Sequence, residues 1–136
     1  MHLIQDLCLG GDVCTVMKSR PSFPEEEAAQ IIKSLLLSVN YLHKRGIVHR
    51  GINSSNIVFP KTGSLHVRLI DFGSSADTNR EPIPFSVPCS NKPQYIAPEV
   101  FNLDYSEKCD IWSVGIVTYE ILSKNRPFDN YSNDHQ

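Results

Sequence analysis

The sequence predicts an α+β fold that is mainly helical and carries one short β-hairpin. Apolar residues recur with a helical period from Glu25 onward and again across 107–123, which is the pattern of two long helices. Between them, two short apolar runs, Ile57, Val58, Phe59 and then 65–70, flank the turn-rich segment PKTGS, the pattern of a hairpin. Hydrophobic residues make up 40% of the 136 and charged residues 21%, a balance that fills a core and excludes a disordered chain.

Taken in order, HLIQDL (2–7) has strand-like apolar positions and is ended by Gly10 and Gly11. Asp12 is placed to cap a short helix running to about Lys18, before a turn at SRPSFP. The first long helix follows, with Pro24 in its first turn and three glutamates that complement the helix dipole. Ala28, Ile31, Ile32, Leu35, Val39 and Leu42 form its apolar face, and Gly46 stops it after Lys44 and Arg45. Ile47 and Val48 make a further short strand. Residues 73–93 hold four prolines, many Ser and Asn and no steady period, so they read as one long loop of the kind that carries function. The helix over 107–123 is apolar nearly all round and is expected at the centre of the core. The tail RPFDNYSNDHQ is polar.

A net charge of −2 gives no electrostatic case for a nucleic acid or an acidic membrane. The longest mostly apolar stretch, 111–122, is too short to span a bilayer, and the first residues lack the pattern of a secretory signal. Cys8, Cys14, Cys89 and Cys109 have no metal-binding spacing, which points to reduced thiols in an intracellular, cytoplasmic or nuclear protein.

An ordered series of motifs runs through these elements: LIQDLCLGGD, YLHKRGIVHRGINSSNIVF, LIDFG, YIAPEVF and DIWSVGIVTYEIL. In this order and at these spacings the chain resembles the large, mostly helical lobe (C-lobe) of a eukaryotic protein kinase. It is most similar to the serine/threonine calcium/calmodulin-dependent group. The resemblance implies a partial kinase domain over 1–136, from hinge to central helix, with the small lobe and the last helices of the large lobe outside it, so that the helix over 107–123 is expected to leave part of its apolar surface exposed. ATP and Mg²⁺ are the implied cofactors. Asn56 and Asp71 match the metal-holding positions, as hard oxygen ligands suited to that ion. Asp6 and Cys8 match the hinge positions whose backbone meets adenine, Asp12 the ribose neighbour, and Val13 and Val58 the floor beneath the ring. Gln5 falls at the back of that pocket. His49, Phe72 and Asp110 match residues that tie the loop, the Asp-Phe-Gly segment and the central helix together, and Arg50 matches the arginine that pairs with a phosphorylated activation loop. Ser74, Ser75, Thr78, Ser86 and Ser90 are the candidate acceptors.

The departures from the family pattern fall on its chemistry. Gly51 stands where the family has the catalytic aspartate that orients the substrate hydroxyl and takes its proton. Asn53 stands at the position of the lysine that contacts the transferring phosphate. Lys92 stands where a threonine bridges those two, and otherwise reads, with Lys61 and Lys108, as a solvated charge. Loss of a positioned base costs on the order of 10²–10⁴ in rate. The resemblance therefore implies an inactive, pseudokinase-type regulatory or scaffolding module, with a catalytic serine/threonine kinase as the alternative. The implied partner is another protein or the remainder of the domain. No EF-hand pattern occurs, so the likeness to a calcium-dependent group brings no calcium site with it.

Overall fold

Asp12 opens the first helix in the way its chemistry allows. In the computed structural model, which describes residues 5–79, 92–102 and 106–128, helix α1 (Val13–Ser19) begins directly after it. One Asp12 carboxylate oxygen accepts from the Thr15 backbone N–H at 2.9 Å and the other from the Thr15 hydroxyl at 2.7 Å. Burial pushes the Asp12 carboxyl upward in pKa, but the bonds from Thr15 and neighbouring backbone outweigh it and hold the group below the usual range.

Helix α2 (Glu25–His43) follows, with Pro24 as its cap residue rather than inside the first turn. Its face of Ala28, Ile31, Leu35, Val39 and Leu42 is buried, as the period required, while Ile32 is half-buried. Gly46, at φ +71°, turns the chain after the helix, in a region where a side chain would be strained. The chain then enters strand β1 (Ile47–Val48).

Strand β2 (Ile57–Val58) pairs antiparallel with β3 (Arg68–Leu69), Ile57 opposite Leu69 and Val58 opposite Arg68. The predicted hairpin is present with shorter strands. Two expectations need correction. Residues 5–7 of HLIQDL form no strand, and 2–4 lie outside the described residues. It is the next segment that runs along β2: Gly10 N–H donates to Phe59 O at 3.0 Å, Phe59 N–H to Gly11 O at 2.9 Å, and Asp12 bridges to Val58. The second correction concerns the long loop. Ala76–Asp77 form a strand, β4, antiparallel to β1, with Val48 opposite Ala76. Two residues are too few to show a period, so sequence patterning gave no sign of β4. Residues 80–91, including Ser86, Cys89 and Ser90, lie outside the described residues.

A 3₁₀ turn (Pro93–Tyr95) and the short helix α3 (Pro98–Phe101) lead to helix α4 (Lys108–Ser123). The main core lies where α4 meets α2, around Ile31, Leu35, Val39, Val114, Val117 and Ile121, with Ile52 and Ile57 closing it from the loop side. A second, smaller cluster joins Val48, Ala97, Val100 and Cys109. Helix α4 buries one face: Ile111, Trp112, Tyr119 and Leu122 are between 37% and 53% exposed, so the helix is not enclosed on all sides as its composition suggested but shows the partial apolar exposure also expected of it. Among the described residues, no helix is long and apolar enough to cross a membrane.

Candidate functional site

The site is built on the first turn of α4. Asp110 there is fully buried, and its carboxylate takes three hydrogen bonds, all at 2.8 Å, from His49 N–H, Arg50 N–H and the His43 ring Nε2–H. A buried carboxylate persists only with such partners. The bonds fix the start of the 49–56 loop against α4 and hold Arg50 at φ +59°, a left-handed conformation uncommon for a non-glycine residue. The Arg50 guanidinium reaches away from the loop and donates through Nε to Ser74 O at 2.6 Å.

His49 is also fully buried. Its Nδ1 accepts from Gly51 N–H at 3.2 Å and its Nε2 lies 3.2 Å from Ile70 O, which makes Nε2 the protonated nitrogen. Burial holds its pKa below the usual histidine value, against the opposing pull of Asp110, and so favours the neutral ring. Phe72 packs on it with ring centroids 4.7 Å apart. Through that ring and Ile70 the loop is tied to the LIDFG segment, where Asp71 sits exposed at φ +64° and accepts Gly73 N–H at 3.3 Å.

Gly51 occupies ordinary space. A Cβ there would stand 3.5 Å from His49 Nδ1 and 3.9 Å from Asn56 Nδ2, both van der Waals distances. Neither packing nor a positive φ demands glycine at this position. Asn53 and Asn56 both donate side-chain N–H to Gly51 O, at 3.0 and 2.9 Å, closing the loop on itself. Lys92 corrects the reading of a solvated charge. Its ammonium donates to Asn53 Oδ1 and to Ser55 Oγ, each at 2.8 Å, so residues 53 and 92 are in direct contact.

Sequence reasoning passed over the group that anchors the far side of the loop. Tyr95 is buried, and its hydroxyl lies 2.7 Å from both Glu120 carboxylate oxygens and 3.0 Å from Ser54 Oγ. Arg126 Nε donates to Glu120 at 3.0 Å, which compensates a carboxylate that is only 3% exposed. Burial, together with Glu120, raises the Tyr95 hydroxyl pKa far above its ordinary value, with Ser54 opposing. The available signal was a charged residue, Glu120, on the apolar face of a helix.

The hinge positions are less gathered. Asp6 is exposed and pairs with Arg68 at 2.9 Å, and Cys8 is half-buried. Val13 has no exposed surface and Val58 is 8% exposed, so Val13 is a core residue that presents nothing to a ligand in this conformation.

The site is thus a short strand pair closed on a helix-anchored H-R-x-x-x-x-x-N loop, beside an Asp-Phe-Gly turn. Residues 1–136 match the protein kinase domain family throughout, and the chain belongs to that family. It is 38% identical over 133 residues to the serine/threonine-protein kinase PEPKR2 of Arabidopsis thaliana, covering 98% of this chain and 27% of that protein. It is 38% identical to calcium-dependent protein kinase 4 of Plasmodium falciparum, over 98% of this chain and 25% of that one. To the calcium/calmodulin-dependent protein kinase cmkB of Emericella nidulans it is 33% identical, over 98% and 33%. The chain thus spans about a quarter to a third of the length of these relatives.

Proposed function

We propose that this chain is the hinge-to-central-helix portion of the large lobe of a serine/threonine-type kinase domain, and that it works as a catalytically inactive regulatory or scaffolding module. One observation supports the reading: Gly51 brings no side chain, and among the described residues the groups nearest a Cβ built there offer no free base. The heavy atoms nearest a Cβ there belong to His49 and Asn56. Both ring nitrogens of His49 are committed to backbone partners, and an amide is no base. Asn53 brings no charge to a transferring phosphate, and the Lys92 ammonium is engaged with Asn53 and Ser55.

The metal-holding positions fit their group better. The Asn56 amide nitrogen is bonded to Gly51 O, which leaves Oδ1 as the atom offered to a cation, and Asp71 keeps a carboxylate oxygen beyond the one taken by Gly73. These hard oxygens suit Mg²⁺, and Asn56 and Asp71 would hold it here. When bound, the ion would neutralise phosphate charge. Asn56 and Asp71 favour the alternative reading, an active serine/threonine kinase. The exposed apolar residues of α4 suit contact with a protein partner or with the remainder of the domain.

Transfer of labelled phosphate from ATP to a generic peptide by the full protein separates the two readings. The expected result is none above background. Transfer that disappears in Asp71→Ala would overturn the proposal. Gly51→Asp, Asn53→Lys and Lys92→Thr together, in a protein with a complete small lobe, are expected to restore activity.

A further inference from the structure

Residues 53 and 92 lie 39 apart in sequence, and their side chains meet at 2.8 Å. Asn53 is 6% exposed and its amide is used at both ends. Nδ2 donates to Gly51 O at 3.0 Å, while Oδ1 accepts Ser55 N–H at 3.0 Å as well as the Lys92 ammonium. Lys92 reaches Ser55 Oγ in addition, and is followed directly by the turn Pro93–Tyr95, whose Tyr95 is bound to Ser54 and Glu120. The segment entering α3 is therefore attached to the 51–56 loop at two points, a cationic one at Lys92 and a neutral one at Tyr95.

We infer that Lys92 is a positioning residue that locks the 92–95 segment onto the loop, and that Asn53 and Lys92 form one coupled pair. An amide oxygen can accept from an ammonium; a lysine at 53 has only donors and would set a second positive charge against Lys92. The half-buried setting of Lys92 and the buried setting of Asn53 reduce the screening that would relieve such a repulsion. The loop thus tolerates one cation, delivered from the facing segment. Neither position can change alone without cost. The coupling is a property of folding and holds whether or not the chain transfers phosphate, so its test is separate from the activity assay.

The test is a double-mutant cycle by thermal melting of the full protein, with Asn53→Lys, Lys92→Thr and the two combined. Asn53→Lys alone is expected to lower the midpoint by about 4 °C or more, and adding Lys92→Thr to recover at least half of that. Lys92→Arg, which keeps the charge and the donors, is expected to melt near wild type, and Lys92→Met below it. In Lys92→Met the Ser55 and Asn56 amides should exchange with solvent about 5-fold faster or more, as expected for the loss of about one such bond. Midpoint shifts that simply add, or unchanged exchange in Lys92→Met, would overturn the lock. If Asn53→Lys does not fold, recovery of folding on adding Lys92→Thr supports the pair. Failure of both variants to fold, with Lys92→Met melting as wild type, refutes it.

Discussion

Asp110 offers the sharpest quantitative test of how the loop is held. Its side chain takes three hydrogen bonds at 2.8 Å with no exposure to water. Asp110→Ala leaves the His49 and Arg50 amides and the His43 ring N–H without their acceptor. Each orphaned buried donor costs about 1–3 kcal/mol, and some relax toward water, so the sum is about 3–5 kcal/mol. Asp110→Asn is isosteric but has one acceptor oxygen. If that oxygen takes the place that receives both His49 and His43, the new NH₂ faces Arg50 N–H, donor against donor. One bond of three is lost and a repulsion is added, for about 2–3 kcal/mol. With a urea dependence of about 2 kcal/mol per molar for a chain of this size, the denaturation midpoint should fall by about 2 M in Asp110→Ala and about 1 M in Asp110→Asn. Equilibrium urea unfolding followed by circular dichroism reads both. An Asp110→Asn midpoint within about 0.2 M of wild type would show that the three bonds do not hold the loop, and with it the account of Arg50's backbone would fail.

Gly10→Ala should destabilise strongly, because a Cβ there would stand 2.6 Å from both Lys61 O and Phe59 Cβ, with backbone that cannot swing aside. A melting midpoint equal to wild type would contradict the close approach. The His49 pKa is depressed from 6.5 by burial, so its contribution to stability is complete above that value. It is lost as pH falls, because the unfolded chain then binds a proton that the folded chain refuses. Stability measured from about pH 7.5 to 5 should therefore decline, with a smaller slope in His49→Gln. An equal slope in the variant would assign the decline to other groups. Cys109 is buried and its thiol pushed up to about 12, by burial first and then by Asp110 and Glu99. A thiol reagent at mildly alkaline pH should label the half-buried Cys8 and Cys14 in the folded protein and spare Cys109 until denaturant is added. Peptide mass mapping reads this directly, and early labelling of Cys109 would show its cluster to be open.

The helices were legible in the sequence because their evidence is local and repeated. Ala28, Ile31, Leu35, Val39 and Leu42 recur at helical spacing, and all are buried in α2. The cap at Asp12 and the stop at Gly46 were legible because single side chains, or the lack of one, decide them. Strand β4 and the pairing of 9–12 with β2 were not, since two-residue pairings carry no period and depend on what the rest of the chain brings alongside. That α4 would leave part of its apolar surface exposed was expected, but not which part: Ile111, Tyr119 and Leu122 are as apolar as their buried neighbours, and only packing separates them.

For the site, residue identity alone sets the chemical inventory. A glycine brings no base, an asparagine brings no charge at 53, and Asn56 and Asp71 bring hard oxygens wherever they lie. The folded chain selects which of these groups meet. It turned Lys92 from a surface charge into the partner of Asn53 and Ser55, and set His49 and Asn56 at ordinary contact distance around Gly51. It also set Asp110, His43, Tyr95 and Glu120 beneath the loop as its supports. A side chain's chemistry belongs to the residue, whereas its hydrogen-bond partners and its distance from water belong to the packing of segments far apart in the chain.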